Sequence, residues 1–308
     1  MSRLASDARS SAIRTGYRVA GLNVKLRHAA VAALAAGIVS QLLSYVVLYL
    51  SLGVAKERAG PNVSVEQLLG TFAVIGPAMF ASSATLLAVA LLTPIARGVR
   101  LRDALALRSA PVVVHLAAAV GTLTLVPSAD LLMTWTAQWV PDAWKLDSLQ
   151  RLHELARSLP LAGVWLLLAL MPGLGAELLF RGVLQQAARR GTTAILVSGI
   201  GFALFHVDLP HAAGVLPLGL FFAWVVERCG SVWVTVTAHV INNSVSIAAT
   251  RIAALDIGYG TDKEMPWQWA PFGLVLAALC MLVIARATGH RALPRWARAA
   301  GAQRRELR

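Results

Sequence analysis

Apolar residues run in long stretches along this chain, and short polar segments separate the stretches. Most of them approach the roughly 20 residues that a membrane-spanning helix requires. They predict eight helices, at residues 29–54, 69–95, 111–132, 160–187, 192–207, 212–227, 231–250 and 268–287. The stretches 192–207 and 212–227 are short, and Asp208 and Pro210 between them are typical of a tight turn. We therefore predict an all-α polytopic membrane protein with about eight transmembrane helices.

Composition and charge agree with a membrane domain and exclude other classes. The chain has 308 residues, 57% of them apolar, and only 14% are charged, against about 25% in ordinary globular domains. The formal net charge of +13 comes from basic residues in the termini and alternate loops. They form no patch interleaved with exposed aromatics, so we expect no nucleic-acid partner. We predict one membrane domain, 29–287, between basic segments 1–28 and 288–308.

The distribution of basic residues also predicts an orientation. An even number of helices places both termini on one side, and on this map most of the 28 Lys and Arg residues fall on that side. By the positive-inside rule that side is cytoplasmic. The N-terminal basic stretch and the apolar run after it are longer than in a cleaved signal peptide. We expect a multi-pass protein of the cell (inner) membrane, with a retained first helix and cytoplasmic termini.

The segment 133–159 differs from the apolar stretches. Its tryptophans, Trp135, Trp139 and Trp144, suit the headgroup region of a membrane. Its leucines recur every third residue with charges between them, at Leu146, Leu149, Leu152 and Leu155. Two interpretations remain open for this segment: an amphipathic helix lying on the outer membrane surface, or an ordinary connecting helix packed on the bundle.

Three polar clusters interrupt the apolar helices: Glu177 with Arg181, His206 alone, and His239 with Asn243. At about 1.5 Å per residue, Glu177 and Asn243 lie about 18 Å from the cytoplasmic end, His206 about 21 Å and His239 about 12 Å. Each cluster alone is also compatible with a neutralised ion pair or with hydrogen bonds between helices. Their common depth and the i,i+4 spacing within each pair favour one functional site.

These residue types suit peptide hydrolysis by an activated water. A carboxylate and a histidine beside one water act as general base and orienter. A second histidine and an amide donate to a developing oxyanion. Two histidines and a glutamate also suit zinc, but the sequence has no His-Glu-x-x-His motif, and Cys229 and Cys280 show no zinc-type spacing. We therefore expect neither a metal nor another cofactor.

The three clusters resemble the motifs of the CPBP family, the CAAX-protease and bacteriocin-processing intramembrane proteases, which include the Abi-like proteins. That family carries Glu-Glu-x-x-x-Arg, Phe-x-x-x-His and His-x-x-x-Asn on separate helices of an eight-helix fold. The resemblance covers about residues 160–250. It implies that Arg181 is the family arginine, Glu177 the second glutamate and His206 the histidine of the second motif. His239 and Asn243 resemble an oxyanion hole.

The family's first glutamate falls on Ala176, and alanine cannot accept a proton. Glu177 lies about 100° further around the helix, and Gly173 and Gly175 before it would allow a distortion that re-aims it. The resemblance implies an intramembrane endopeptidase that acts on a membrane-anchored peptide or protein. The alternative is a catalytically inactive relative that binds membrane peptides or assists a partner membrane protease. A small-molecule transporter fits the order and spacing of the motifs less well.

Overall fold

The chain folds into a helical bundle, and the computed structural model describes residues 26–60, 62–141, 144, 148–188, 191–256 and 265–289. No strand forms among these residues. The long helices are α1 Leu26–Ala59, α2 Phe72–Ile95, α3 Val112–Ala137, α4 Leu161–Ala187, α5 Thr192–Leu204, α6 Leu209–Cys229, α7 Val232–Arg251 and α8 Trp269–Thr288. The predicted all-α fold with about eight helices is confirmed.

Six of these helices are long and apolar enough to cross a membrane, and α5 and α7 are the two that are not. Helix α5 has 13 residues and rises about 20 Å, which is short of a hydrocarbon core about 30 Å thick. Helix α7 has 20 residues but carries His239, Asn242 and Asn243. Both helices pack against neighbouring helices of the bundle, α5 mainly against α6 and α7 against α3 and α4.

The helices form two groups that meet around α4. Helix α1 packs on α2, and α2 packs on α4. Helix α3 packs on α6, α7 and α8. Helices α5 and α6 form an antiparallel pair, and α4 contacts both α5 and α7. Every helix with a predicted site residue therefore borders the centre of the bundle, whereas α1 and α8 expose apolar side chains to the outside.

A short helix, Ser148–Ser158, covers one end of the bundle. Its buried residue Ala156 packs with Leu159 against α4 and α7. Arg251 at the end of α7 donates to the backbone oxygens of Ala156 and Leu159, where the end of a helix leaves carbonyls without intrahelical partners. This helix is thus packed on the bundle, while its contact with lipid headgroups stays a prediction. Trp135, Trp139 and Trp144 are exposed.

The turn between α5 and α6 lies three residues earlier than the sequence predicts, because α5 ends at Leu204 rather than at residue 207. Helix α6 begins at Leu209 rather than at residue 212, since proline is tolerated in the first helical turn and Pro210 sits there. The Asp208 amide donates to the His206 carbonyl at 2.6 Å, and Val207 between them has φ +60°. The turn therefore rests on a β-branched residue in the left-handed region, which is a rare conformation.

The predicted basic terminal segments, 1–28 and 288–308, lie almost entirely outside the described residues. Arg189 and Arg190 between α4 and α5 also lie outside them. The division into a membrane domain with two basic tails stays a prediction.

Candidate functional site

A charged cluster lies buried where α4 meets α7. Glu177 and Arg181 are one turn apart on α4, and both side chains are completely buried. The Glu177 Oε1 atom accepts from Arg181 Nη1 at 3.1 Å and from His239 Nδ1 at 3.0 Å. Arg181 Nη2 also donates to the Gly219 carbonyl of α6 at 2.9 Å. One carboxylate therefore holds together side chains from α4 and α7, and its arginine reaches a third helix.

Two phenylalanines enclose the Arg181 guanidinium. Its carbon Cζ lies 4.4 Å from the ring centre of Phe202 and 5.4 Å from that of Phe222. A cation over an aromatic face is attracted by the ring quadrupole, and this attraction strengthens without water. The Phe202 ring also contacts His206 and His239, with ring centres 5.0 Å and 5.8 Å apart. Phe202 is thus the residue through which the charged cluster contacts His206.

Close backbone contacts bring these helices together. A Cβ on Gly199 of α5 would lie 2.7 Å from a Leu220 side-chain carbon and 3.0 Å from the Leu220 backbone. A Cβ on Gly219 of α6 would lie 2.8 Å from the Gly199 oxygen. Small residues allow membrane helices to approach this closely. Helix α4 is joined to α6 by two hydrogen bonds. Arg181 donates to the Gly219 carbonyl, and Gln185, one turn later, donates to the Ala223 carbonyl at 2.8 Å.

His206 follows α5 in the turn towards α6. Its Nδ1 atom lies 3.0 Å from the Phe202 carbonyl. A carbonyl oxygen can only accept, so Nδ1 carries the proton of this bond. In the neutral ring the remaining nitrogen, Nε2, then has a free lone pair. His206 is therefore oriented as a hydrogen-bond acceptor, which is the form that a general base needs.

Asn243 lies one helical turn after His239 on α7. Its Nδ2 atom donates to the Leu168 carbonyl of α4 at 2.8 Å. That carbonyl would bond the amide of residue 172 in a regular α-helix, but this residue is Pro172, which has no N–H. Helix α4 is also π-helical at Trp165–Leu170, just before the proline. The irregular helix thus offers an acceptor that fixes the orientation of Asn243.

One cavity of about 520 Å³ connects the predicted residues. His206, His239 and Asn243 line it, together with Ala176. The lining also includes uncharged polar residues from α1, α2 and α7, namely Gln41, Ser44, Ser82, Ser83, Asn242 and Ser246. The short helix Ser148–Ser158 adds Leu152, His153 and Ala156. The structure therefore brings three of the five predicted residues to one space that a small ligand or a peptide segment would fit.

Glu177 and Arg181 do not line this cavity. Glu177 points to Arg181 and His239, and Ala176 occupies the wall instead. Helix α4 does depart from regular geometry after Glu177, where Leu178–Leu184 is π-helical, but this does not turn the carboxylate towards the cavity. Gly173 does not re-aim Glu177. It allows α4 to approach α7 closely, since a Cβ at this position would lie 2.7 Å from the Val240 side chain of α7.

The described residues form no group of three or more His, Cys, Asp or Glu side chains placed to hold a metal ion. His239 uses Nδ1 for Glu177, and His206 uses Nδ1 for a carbonyl. The histidines are thus held by protein acceptors on one side of each ring. The preference for a metal-free site stays a prediction.

A family model matches the part of the chain that holds the site. Residues 158–245 match the family described as type II CAAX prenyl endopeptidase Rce1-like. This match supports the assignment of the segment to the CPBP family of intramembrane proteases. The matched residues contain all three motifs and extend from the end of the short helix to the middle of α7. Comparison with curated proteins and with solved structures finds no match.

Within this CPBP-family segment, sequence reasoning missed side chains that surround the predicted five. Gln185 extends the row formed by Glu177 and Arg181 by one more turn, so continuing the i,i+4 spacing would have found it. His211 lines the cavity, and its ring centre lies 4.7 Å from that of His206. Its proximity to His206 depends on the tight turn at Val207, which no hydrophobic pattern reveals.

Proposed function

We propose that this protein is an intramembrane endopeptidase, which uses an activated water to hydrolyse a peptide bond of a membrane-associated substrate. The observation that carries the proposal is the cavity in which His206, His239 and Asn243 converge. His206 is held with a lone pair available, and the other two side chains carry donors. A base and oxyanion donors around one space are the groups that hydrolysis by water needs.

Each residue takes a distinct role in this proposal. His206 Nε2 accepts a proton from the attacking water. Glu177 holds His239 through Nδ1, which leaves the other ring nitrogen for the developing oxyanion. Asn243 has two amide hydrogens and gives one to the Leu168 carbonyl, so the second remains for the same oxyanion. Arg181 neutralises Glu177 and acts by positioning it.

The lining of the cavity supports a peptide as substrate. A peptide in a membrane must find partners for its backbone N–H and C=O groups. The uncharged polar side chains that line the cavity, among them Ser82, Ser83 and Ser246, are of the kind that would serve as such partners. The family description adds a prenylated CAAX end as the substrate class. We extend the proposal to a location in the cell membrane with both termini cytoplasmic, a membrane-anchored substrate and no nucleic-acid partner.

A second candidate function is favoured by one observation. No carboxylate lines the cavity among the described residues, because Ala176 stands in its wall and Glu177 is turned away. A relative that lost its base would still bind a membrane peptide, or would assist a partner membrane protease. The same cavity and its polar side chains would serve this function.

Cleavage by purified protein in lipid nanodiscs distinguishes the two candidates. The probe is a fluorescence-quenched peptide that ends in S-farnesyl cysteine and three further residues, with its unprenylated form as a second arm. We expect wild type to cleave, and His206→Gln and Asn243→Ala to lose about 10²–10³-fold. His115→Gln is the matched control, since His115 bonds Thr237 away from the cavity.

Binding of the peptide without cleavage by wild type would favour the non-catalytic candidate. Ala176→Glu then becomes informative, because it restores a carboxylate to the cavity wall. If Ala176→Glu cleaves the peptide and wild type does not, the proposed hydrolysis is wrong for the native chain. That result would also show that this fold supports hydrolysis once a carboxylate stands at position 176.

A further inference from the structure

A second histidine adjoins His206 in the cavity, outside the three motifs. His211 lies in the first turn of α6, and its ring contacts that of His206 with a centre-to-centre distance of 4.7 Å and an interplanar angle of 61°. Both rings line the cavity. Because His206 Nδ1 is bound to the Phe202 carbonyl, only its Nε2 edge remains for a water. The His211 ring packs against this imidazole and lines the same cavity.

A carboxylate lies behind His211. Asp208, three residues earlier, is 5% exposed, and its negative charge acts on His211. A charge buried to this degree is costly and needs compensation. Asp208 therefore places a buried negative charge near His211, whose ring adjoins that of His206. A carboxylate behind a histidine orients the ring and stabilises the positive charge that the ring gains with a proton.

The backbone that joins these residues is strained. Val207 has φ +60°, and the Asp208 amide donates to the His206 carbonyl across it at 2.6 Å, which closes a three-residue turn. Such a conformation is costly in a residue other than glycine, and strain of this kind clusters at functional sites. The turn places Asp208 two residues after His206, and α6 begins at Leu209, so that the His211 ring comes to lie against that of His206.

We propose that His211, oriented by Asp208, is a further catalytic residue that holds the attacking water together with His206 and replaces the carboxylate that is absent at position 176. This inference rests on the proposed peptidase function. His211 is the catalytic member because it contacts the water. Asp208 is a positioning residue because it acts through His211.

The proposed step balances with one water consumed. One water O–H bond breaks, its proton goes to His206 Nε2, and the oxygen bonds to the peptide carbonyl carbon. The carbonyl electron pair moves to oxygen, where His239 and Asn243 donate to it. His211 accepts a hydrogen bond from the second O–H of the water. The C–N bond then breaks, and its nitrogen takes the proton from His206, which yields a carboxylic acid and an amine.

The test compares four variants on the quenched S-farnesyl peptide in nanodiscs. His211→Phe keeps an aromatic ring against His206 but removes its nitrogens, and His115→Phe is the same change outside the cavity. We expect His211→Phe to lower kcat about 10²–10⁴-fold and His115→Phe to leave it within about twofold. Asp208→Asn should lower kcat with little change in KM. Ala176→Glu in the His211→Phe background should restore part of the loss.

The outcomes separate this inference from the proposed function. If wild type cleaves and folded His211→Phe cleaves equally well, the inference is overturned and the peptidase function stands. If wild type fails to cleave, the peptidase function and the inference both fall. If Ala176→Glu gives no recovery in a folded His211→Phe protein that still binds the peptide, His211 does not replace the carboxylate. His211→Gln substitutes for His211→Phe should the latter fail to fold.

Discussion

Glu177 is the residue on which the buried polar contacts of the site converge. One oxygen, Oε1, accepts from both Arg181 and His239, and neither Glu177 nor Arg181 is exposed. Taking one partner from a buried ion pair leaves an uncompensated charge and typically costs about 3–5 kcal/mol. Arg181 has further support from the Gly219 carbonyl and from Phe202, so its loss affects more than the pair.

We expect Glu177→Ala to lower the melting temperature in detergent and the folded yield, because it leaves the Arg181 charge buried without its partner. Glu177→Ala with Arg181→Ala should recover part of the loss, since it removes both charges. Glu177→Gln keeps an acceptor for His239 and should fall between wild type and Glu177→Ala. A Glu177→Ala protein that melts like wild type would show that the pair does not hold the fold.

Val207 offers a second prediction at this scale. Glycine adopts a positive φ without steric cost, so Val207→Gly should leave the melting temperature unchanged or raise it by a few degrees. The matched control is Val113→Gly in α3, which is also an exposed valine but lies in a helix, where glycine costs about 1 kcal/mol. Equal destabilisation by the two substitutions would mean that the turn is not strained.

The sequence predicts the residues of the site but not all of their contacts. The motifs and the helix rise place Glu177, His206 and Asn243 at a common depth. His206 and Asn243 do line one cavity, whereas Glu177 reaches it only through its bond to His239. Which of Ala176 and Glu177 faces the cavity depends on the rotation of α4, and hydropathy does not specify this rotation. The contact of His211 with His206 depends on the dihedral angles of Val207, a residue type that gives no turn signal.

At the scale of elements, glycines set the distances between the central helices. Gly199 and Gly219 bring α5 against α6, and Gly175 brings α4 within 3.0 Å of the Ser83 oxygen of α2, measured from a Cβ position. The sequence predicts these helices and their bounds within a few residues. It does not tell which of the 24 glycines lie at contacts between helices. A glycine in an apolar helix gives the same hydrophobic pattern whether it faces another helix or the outside.

We expect Gly199→Ala to destabilise the protein by about 1–3 kcal/mol, because the new methyl group would meet the Leu220 backbone at 3.0 Å. It should also reduce cleavage, since α5 carries His206 at its end. Gly53→Ala in α1 is the control: nothing lies within 4 Å of its Cβ position, and alanine is the better helix former. A Gly199→Ala protein as stable as Gly53→Ala would contradict the close contact of α5 and α6.

At the scale of the whole molecule, the bundle has two distinguishable ends. The Ser231 hydroxyl donates to the Arg108 carbonyl, and the Val232 amide donates to the Ala106 carbonyl. The loop between α2 and α3, which carries arginines, therefore meets the short loop between α6 and α7, and Arg228 lies in the last turn of α6 beside it. The opposite end holds Arg251 and the short helix Ser148–Ser158. The α2–α3 and α6–α7 loops, which the basic residues assign to the same side of the membrane, are thus in contact.

The last prediction concerns which end faces the cytoplasm. By the positive-inside rule the end with Arg100 and its neighbouring arginines is cytoplasmic. After Cys229 and Cys280 are replaced by alanine, a membrane-impermeant maleimide should label Ala253→Cys in intact cells, because Ala253 is exposed at the opposite end. Arg100→Cys should react only after the membrane is permeabilised, and a reporter fused after Arg308 should be active only in the cytoplasm. Labelling of Arg100→Cys in intact cells with protection of Ala253→Cys would reverse the orientation, and it would place the covering helix Ser148–Ser158 on the cytoplasmic side of the cavity.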